Sequence, residues 1–332
     1  MKGVEVSLLA ASGSFNGRMI RGALEETHIS WVILASRFAF KIKKPLKLSF
    51  LDFSTLAKRK RYCEREVRLN RRFSGIYLGV VPVRHFEGSF TFGGHVGDIV
   101  DYAVQMKRMR SSLRMDSMLR EQKVRRAHIL SLSRCVASFH RRASIISVPF
   151  DVVFLKKAFG DIRAVNAFIQ KRLGRRYSNI VTKSVSWSNS FLRAHAKRFH
   201  ERVMLGYKRD VHGDLHSGNI FLYSRPIIFD CIEFNDDYRQ IDVIDEIAFF
   251  CMDLEVSGKK GLSDLFVRDY SRRFPCFASK EDEEIFRYFK CYRANVRAKV
   301  KCLAAIRAGD AADEHDLNDI RKYLRLMEEY MS

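Results

Sequence analysis

Two short stretches constrain the fold of this chain more than any other part of the sequence. Residues 211–220 (VHGDLHSGNI) form a polar run that contains Asn219, and residues 226–230 (PIIFD) form a short apolar run that ends in Asp230. The apolar run predicts a strand with the carboxylate at its end. Mg²⁺ prefers oxygen ligands and takes only one or two of them from a protein. The amide of Asn219 and the carboxylate of Asp230 offer oxygen atoms of this kind.

The first stretch has the pattern H-x-D-L-x-x-x-N, which resembles the catalytic loop of the protein-kinase-like fold. It is most similar to the form H-G-D-x-x-x-x-N of aminoglycoside phosphotransferases and choline kinases, where protein kinases have H-R-D. The resemblance implies that Asp214 orients the acceptor hydroxyl as its base and that His212 supports the loop backbone. It also implies that Asn219 and Asp230 hold the metal ion.

The resemblance covers roughly residues 25 to 305 of the chain. Within the family, the sequence is similar to an uncharacterised bacterial branch whose members are sometimes fused to a P-loop kinase domain. This chain contains no G-x-x-x-x-G-K-[ST] motif. The activity of such a P-loop domain is therefore not expected of it.

Two apolar runs, 31–34 and 38–42, are separated by residues 35–37 and predict a pair of antiparallel strands. Side chains repeat every two residues along a strand, so Lys41 and Lys43 lie on the same face. The second run resembles the kinase strand V-A-I-K, whose lysine binds the nucleotide phosphates. The register of that resemblance favours Lys41 as the phosphate ligand, with Lys43 as the alternative.

The turn before these strands, residues 27–30, takes the position of the glycine-rich phosphate loop of kinases but contains no glycine. The resemblance implies that backbone N–H groups and the hydroxyls of Thr27 and Ser30 contact the phosphates. The alternative is an ordinary hairpin turn.

Residues 54–73 predict a helix, because Cys63 and Val67 fall on one line at helical spacing. Glu66 lies beside that line, where a carboxylate is placed to pair with a lysine of the strand, as kinases require. The alternative is a surface pair of Glu66 with Asn70 or a neighbouring arginine.

Two further groups of charged residues follow the catalytic stretch. Asp242 and Asp245 lie at a predicted helix start, and the resemblance implies that one of them, expected to be Asp242, braces the catalytic loop. A later helical segment carries three cations that are candidates for binding an anionic acceptor or for ordinary structural contacts: Arg293, Arg297 and Lys299.

The chain has a formal net charge of +22, concentrated in helical stretches, whereas the block from 210 to 255 is acidic. Such a field favours anionic partners, namely nucleotides, phosphorylated metabolites, nucleic acids or membrane surfaces. The alternative is a solvated basic face. No run approaches the roughly 18 apolar residues of a membrane span. The seven cysteines are scattered without a C-x-x-C motif and predict reduced thiols and a cytoplasmic location.

These observations predict an α+β, bilobal protein-kinase-like fold with a small antiparallel-sheet N-lobe and a mainly helical C-lobe. The N-terminal nucleotide-binding lobe is expected at 1–108, and the helical lobe with the catalytic loop and acceptor site at 109–332. The resemblance implies Mg²⁺-dependent transfer of the γ-phosphoryl group of ATP (or GTP) to a hydroxyl of a small-molecule acceptor. The basic chain favours an anionic acceptor over a polycationic one.

Two hypotheses from other classes remain. One is a basic nucleic-acid-binding or scaffolding pseudokinase, although Tyr177 and Trp187 belong to no recognised RNA motif. The other is a metal-dependent hydrolase, in which His212, Asp214 and His216 line one face of a strand and chelate a transition metal.

Overall fold

The computed structural model describes residues 1–48, 51–309 and 313–332. Within these residues no helix is both long enough and apolar enough to span a membrane. The strands are β1 (Ser14–Phe15), β2 (Arg18–Met19), β3 (Ala23–Glu26), β4 (Ser30–Leu34), β5 (Phe38–Lys43), β6 (Lys47–Leu48), β7 (Leu51–Asp52), β8 (Tyr77–Phe86), β9 (Ser89–Phe92), β10 (Asp98–Lys107), β11 (Lys208–Asp210), β12 (Ile220–Phe221), β13 (Ile227–Ile228) and β14 (Gln240–Asp242).

The α-helices are α1 (Gly3–Ser12), α2 (Leu56–Asn70), α3 (Met115–Arg120), α4 (Arg126–Arg142), α5 (Val152–Gly160), α6 (Asn166–Leu173), α7 (Arg175–Ala194), α8 (Ala196–Met204), α9 (Val243–Val256), α10 (Lys260–Arg273), α11 (Lys280–Ala308) and α12 (Glu314–Met331). Short 3₁₀ helices occur at Ser111–Leu113, Asp161–Val165 and Ser217–Asn219.

The chain divides into two compact units, and one of the divisions falls between Gly218 and Asn219. The first, here called the sheet unit, consists of Met1–Ser117 and Asn219–Arg239. The second, here called the helical unit, consists of Met118–Gly218 and Gln240–Ser332. The predicted assignment of nucleotide binding to 1–108 and of the acceptor site to 109–332 remains a prediction.

The sheet unit is built on a sheet whose strands, among the described residues, follow the order β2-β1-β9-β8-β10-β5-β4-β3. Neighbouring strands are antiparallel except for β1 and β9. The predicted hairpin is confirmed: in β4 and β5, Ser30 lies opposite Lys43 and Leu34 opposite Ala39. Val104 of β10 lies opposite Lys41 on the other side of β5.

Helix α2 packs on this sheet through the face that the helical spacing predicts. Cys63 and Val67 join one apolar cluster with Ala39 of β5 and Val104 of β10. Thr55 caps the start of the helix, because its side chain accepts a hydrogen bond from Lys58 N at 3.2 Å. This packing turns the buried side of α2, which also carries Glu66, towards β5.

The helical unit is organised around α9, in which every residue from Val243 to Leu254 is buried. Helices α10 and α11 pack directly against it. Three of its buried residues are acidic: Asp245, Glu246 and Asp253. Because a buried charge without partners is strongly destabilising, these carboxylates must be satisfied by other groups of the unit.

Candidate functional site

Glu66 of α2 lies between the two lysines of β5. Glu66 is fully buried, and each of its two carboxylate oxygens contacts a different lysine. Oε1 lies 2.9 Å from Lys41 Nζ, and Oε2 lies 2.7 Å from Lys43 Nζ. The structure thus brings the predicted partners Lys41 and Glu66 together and adds Lys43 to the same carboxylate. Both lysines reach it because residues two apart share a strand face.

Each lysine also has a second carboxylate partner, and these partners differ in exposure. Lys41 Nζ donates a hydrogen bond to Asp230 Oδ1 at 2.5 Å, and the Asp230 side chain is 41% exposed. Lys43 Nζ donates to Glu233, and the Lys43 side chain is fully buried. Lys41 is 10% exposed. The Lys41–Asp230 end of this network therefore reaches solvent, whereas Lys43 is enclosed.

The charges of this network depend on one another. Burial opposes the charged form of Lys41, but Asp230, Glu66 and Glu233 outweigh it and raise its pKa well above the ordinary value. Burial likewise opposes the charge on Lys43, and Glu233 and Glu66 again raise its pKa. Burial would raise the pKa of Glu66, but the two lysines lower it. Both lysines and Glu66 are therefore charged at neutral pH.

A short hairpin positions the two predicted metal ligands. Ile220 of β12 pairs with Ile228 of β13, and Phe229 N donates to Asn219 O at 3.1 Å. Asn219 therefore lies across the hairpin from Phe229, one residue away from Asp230. The amide of Asn219 and the partly exposed carboxylate of Asp230 are oxygen donors of the kind that Mg²⁺ prefers, so this donor set fits the ion.

Asp230 has an unusual backbone conformation, with φ at 64°. This left-handed region is uncommon for residues other than glycine, and Asp and Asn tolerate it best. The conformation is held from two sides, because Asp230 N donates to the Tyr77 hydroxyl at 2.9 Å and Cys231 N donates to Asn70 Oδ1 at 2.8 Å. Backbone strain that is held in place by its neighbours is typical of functional sites.

The turn at residues 27–30, which is predicted to contact phosphates, is closed by the side chain of Thr27. Thr27 Oγ1 donates to Ser30 O at 3.0 Å and accepts from Ser30 N at 3.0 Å. Ser30 is fully buried, and its hydroxyl has no hydrogen-bond partner among the described residues. The geometry is that of an ordinary hairpin turn, and contact of Thr27 and Ser30 with phosphate remains a prediction.

In the helical unit, α9 holds the backbone of the predicted catalytic loop, residues 212–217. Glu246 accepts hydrogen bonds from His212 N at 2.8 Å and from Gly213 N at 2.7 Å. His140 Nε2 lies 3.1 Å from the same carboxylate. Asp253, on the same helix face seven residues later, accepts from Ser217 N at 2.8 Å. The loop therefore supplies the partners that these buried carboxylates require.

The prediction that Asp242 braces the loop is wrong, and the structure gives the reason. Asp242 is the N-cap of α9, where its carboxylate accepts from Ile244 N at 2.9 Å and pairs with Arg202 at 2.7 Å. The bracing carboxylate lies one helical turn later, at Glu246. Sequence reasoning missed Glu246 and Asp253, although their spacing of seven residues places them on one helix face.

Arg293 supports the same loop from α11. Its Nε lies 2.6 Å from Asp245 Oδ1, and its Nη1 donates to Gly213 O at 3.2 Å. Gly213 has a φ of 84°, a conformation that favours glycine at this turn. Of the three cations proposed for an anionic acceptor, Arg293 is thus a buried support of the loop, and Lys299 pairs with Asp161 at 3.3 Å.

Asp214 is surrounded by groups that favour its charged form. Its Oδ2 lies 3.5 Å from His216 Nε2, and its backbone N–H donates to His212 Nδ1 at 3.3 Å. Burial alone would raise the pKa of Asp214, but His216 and Arg297 hold it well below the usual range. In return, Asp214 outweighs the effect of burial and raises the pKa of His216. Asp214 is therefore ionised at neutral pH and able to accept a hydrogen bond.

The metal-hydrolase hypothesis is contradicted by this arrangement. Residues 212–216 form a loop instead of a strand, and His212 is fully buried with its Nδ1 accepting a backbone N–H. Across residues 1–48, 51–309 and 313–332, the only convergent group of three potential metal ligands is Asp313, His315 and Asp316. His212, Asp214 and His216 do not form such a group.

Comparison with solved structures defines the fold class. The chain is similar to the choline kinase of Cryptosporidium parvum Iowa II, with 12% identity, a TM-score of 0.57 and coverage of 93% of this chain and 89% of that one. It is also similar to the GDP and kanamycin complex of APH(2")-IIia (13% identity, TM-score 0.53, 99% and 98% covered). A thermostable mutant of aminoglycoside phosphotransferase APH(4)-Ia matches with 12% identity, a TM-score of 0.52 and 94% of each chain covered. The predicted bilobal protein-kinase-like fold, in the form of choline kinases and aminoglycoside phosphotransferases, is confirmed.

The chain is also similar in sequence to mycobacterial proteins. Uncharacterised proteins of Mycobacterium tuberculosis and Mycobacterium bovis are each 32% identical to it over 290 residues, which cover 84% of this chain and 54% of theirs. The chain therefore spans about half the length of the curated relatives that it matches. No family model matches the sequence.

Proposed function

We propose that this protein transfers the terminal phosphoryl group of a nucleoside triphosphate, with Mg²⁺, to a hydroxyl of a small-molecule acceptor. The observation that supports this most directly is the contact of Lys41 with both Glu66 and Asp230. A lysine held by a helix glutamate beside a metal-binding aspartate is what positioning of a nucleotide's phosphates requires. The likeness to a kinase solved with GDP agrees with nucleotide binding.

Each candidate site residue of the sheet unit has a separate role in this proposal. Lys41 binds phosphate oxygens, and Glu66 orients its ammonium group. Asn219 and Asp230 would hold the metal ion, which when bound neutralises charge on the phosphate oxygens. Thr27 and Ser30 remain candidates for phosphate contact through the turn that they close.

Asp214 has the role of orienting the acceptor hydroxyl. The acceptor oxygen forms a bond to the terminal phosphorus while the bond to the bridging oxygen breaks, and the nucleoside diphosphate leaves with that oxygen. The hydroxyl proton passes to Asp214. Because the transition state is loose, little proton transfer is needed early, and a carboxylate of low pKa is adequate. His212 supports the loop on which Asp214 lies.

An anionic acceptor is favoured by Arg297. This arginine contributes to the positive potential at Asp214, and its Nε is buried without a hydrogen-bond partner among the described residues. Its guanidinium lies 6.0 Å from the centre of the Tyr323 ring. We therefore assign Arg297 as the candidate contact for a phosphate or carboxylate group of the acceptor.

The first test measures the melting temperature with ATP or GTP, with and without Mg²⁺. Ligand at one hundred times its Kd stabilises the folded state by about 2.7 kcal/mol, so a rise of a few degrees is expected. Asp230→Asn keeps a residue that tolerates the left-handed backbone but removes the metal-binding charge, and should abolish the Mg²⁺-dependent part. Asp237→Asn, an exposed neighbour, is the matched control.

Transfer of labelled γ-phosphate to a panel of hydroxyl acceptors then identifies the substrate. Loss of transfer in Asp214→Asn with retained nucleotide binding is the expected result. If no nucleotide shifts the melting temperature of folded wild-type protein, the phosphotransferase proposal is wrong. The nucleic-acid-binding or scaffolding pseudokinase would then be the better interpretation.

A further inference from the structure

A group of apolar side chains is exposed on the helical unit. Ile145, Val148, Met204 and Leu205 each expose between 55% and 75% of their surface. They come from two segments, one that follows α4 and one that ends α8. Single exposed apolar residues are ordinary, but several together on one surface mark an interaction site.

Hydrogen bonds hold the two segments side by side. Ile146 N donates to Lys208 O at 2.9 Å, and Asp210 N donates to Ser144 O at 2.9 Å. Gly206 lies directly under Ile145, because a Cβ on Gly206 would be 3.2 Å from Ile145 Cδ1. Ile145 is therefore next to the residue that follows Leu205, and the two segments lie side by side.

The surface is fixed in shape. The guanidinium of Arg209 donates to the carbonyl oxygens of His140 and Gly206, each at 2.8 Å. The ring of Phe150 stacks on Phe199 of α8 with 4.3 Å between centroids. These contacts attach the segment after α4 to α8 and to the turn that follows it, which reduces the conformational entropy lost when a partner binds.

Positive charge surrounds these residues. Arg141 and Arg142 end α4 just before the first segment, and both are exposed. Lys197 on α8 is also exposed. Two nearby carboxylates are engaged locally: Asp151 caps α5 by accepting from Phe154 N, and Glu201 pairs with both Arg198 and Lys197. This distribution accounts for part of a net charge of +22 that phosphoryl transfer does not require.

We propose that this surface docks the protein on an anionic lipid bilayer. It is called the basic-apolar ledge and consists of Arg141, Arg142, Ile145, Val148, Met204 and Leu205. A bilayer surface offers apolar depth for exposed aliphatic side chains and negative charge for arginines. A nucleic acid offers the charge but is bound through phosphate contacts and base stacking, for which aliphatic side chains are unsuited. The proposal goes beyond the phosphotransferase activity and is independent of it.

Co-sedimentation of the full chain with phosphatidylcholine vesicles, with and without phosphatidylglycerol, tests the proposal. We expect binding to the anionic vesicles alone. Ile145→Ser/Val148→Ser and Met204→Ser/Leu205→Ser should each weaken it at least tenfold. Arg141→Ser/Arg142→Ser should weaken it roughly twenty-fivefold, since each basic residue near the surface contributes about a fivefold effect.

The controls are matched in exposure and in charge. Val4→Ser/Leu8→Ser removes comparably exposed apolar side chains from α1. Arg125→Ser/Arg126→Ser removes two charges from the opposite end of α4. Both should bind like the wild type.

Three outcomes would overturn the proposal. Equal loss in the two arginine variants would mean general polycation adhesion. If the serine substitutions at the apolar residues leave vesicle binding unchanged, and the protein binds duplex DNA more strongly than vesicles, a nucleic acid would be the better-supported partner. Absence of vesicle binding, with concentration-dependent self-association lost in the apolar variants, would mean that the ledge binds a second copy.

Discussion

Lys41 and Lys43 extend from the same face of β5 and share Glu66, yet their surroundings assign them different roles. Lys43 is enclosed between Glu66 and Glu233, so its ammonium group cannot reach a ligand without leaving two buried carboxylates behind. Lys41 contacts Asp230, whose carboxylate is partly exposed to solvent and can therefore bind water or a metal ion. The structure therefore supports Lys41 as the phosphate-binding lysine and Lys43 as the structural one.

Substitution of each lysine by methionine should separate these roles. Lys43→Met is expected to lower the free energy of unfolding by about 3–5 kcal/mol, because breaking a buried ion pair leaves charge without a partner. Lys41→Met should be milder, since Glu66 keeps Lys43 and Asp230 is exposed, but should weaken nucleotide binding more strongly. Urea unfolding and nucleotide titration measure the two effects.

The double variant Lys43→Met/Glu233→Gln supplies the control for this comparison. It should be less destabilised than the sum of its single variants, since the two residues are in contact. Additive effects, or equal destabilisation by the two lysine substitutions, would contradict the assignment.

The pair of Asp214 and His216 predicts a dependence of stability on pH. The folded-state pKa of His216 is raised above the ordinary value of about 6.5. Its contribution is therefore complete below that value and is lost as pH rises through the folded-state pKa. Asp214, whose pKa is lowered, stays ionised throughout this window. The stability difference between wild type and Asp214→Asn should thus be larger at pH 6 than at pH 9.

Urea unfolding at the two pH values measures this change, which should be below about 1 kcal/mol because Asp214 is partly exposed. In a His216→Gln background, Asp214→Asn should have the same effect at both pH values. A difference that grows from pH 6 to pH 9 would show that the ion pair does not contribute as described.

At the scale of elements, α9 connects the core of the helical unit to the catalytic loop. Its apolar residues from Val243 to Leu254 are buried, and its carboxylates Glu246 and Asp253 accept hydrogen bonds from three backbone N–H groups of residues 212–217. A helix can fix a loop in this way only when its acidic side chains are shielded from water, because their bonds to the loop then have no competitor.

Glu246→Gln should loosen the loop. Glutamine can keep one oxygen towards His212 N and Gly213 N, but both hydrogen bonds then go to a neutral acceptor, and an amide nitrogen replaces the oxygen that contacts His140. A cost of about 1–3 kcal/mol in stability is expected, together with a lower kcat. Asp253→Asn retains an acceptor for its one hydrogen bond, from Ser217 N, and should lower the stability less. Equal effects would contradict the assigned roles.

The sequence predicts local pairs in this protein better than distant ones. The pairing of Lys41 with Glu66 spans only 25 positions and follows from strand and helix periodicity together with the resemblance to the kinase fold. Glu233 lies 190 positions from Lys43, and nothing in its neighbourhood marks it as a partner. The start of α9 was predicted at Asp242, but choosing between Asp242 and Glu246 requires knowing which helix face meets the loop. That orientation is set by tertiary packing.

At the scale of the whole molecule, the reactivity of the cysteine thiols indicates how well the core is closed to solvent. All seven lie within the described residues as thiols, and only Cys135 is partly exposed. Burial raises the pKa of five of these thiols, for example that of Cys63 to about 12 and that of Cys251 to about 12; the other three are Cys276, Cys291 and Cys302. Since the thiolate is the reactive form, these groups are protected in the folded state both by burial and by protonation.

Native protein treated with a chromogenic disulfide reagent at pH 8 should therefore release at most one equivalent rapidly. The remaining thiols should react only at the rate of unfolding, and Cys135→Ser should remove the rapid phase. Rapid reaction of several thiols in folded protein would show that the core opens more readily than its packing implies.

The division of the sheet unit between two distant stretches of chain has a consequence for its synthesis. On the ribosome, Ser117 is followed by about 120 residues before Arg239 completes the unit. At about 5–20 residues per second this delay lasts roughly 6–24 s. During that interval Lys41 and Lys43 have Glu66 but neither Asp230 nor Glu233, so a nascent chain carries two cations on one carboxylate. The N-terminal sheet therefore keeps an excess of positive charge at these lysines until residues 219–239 have been synthesised.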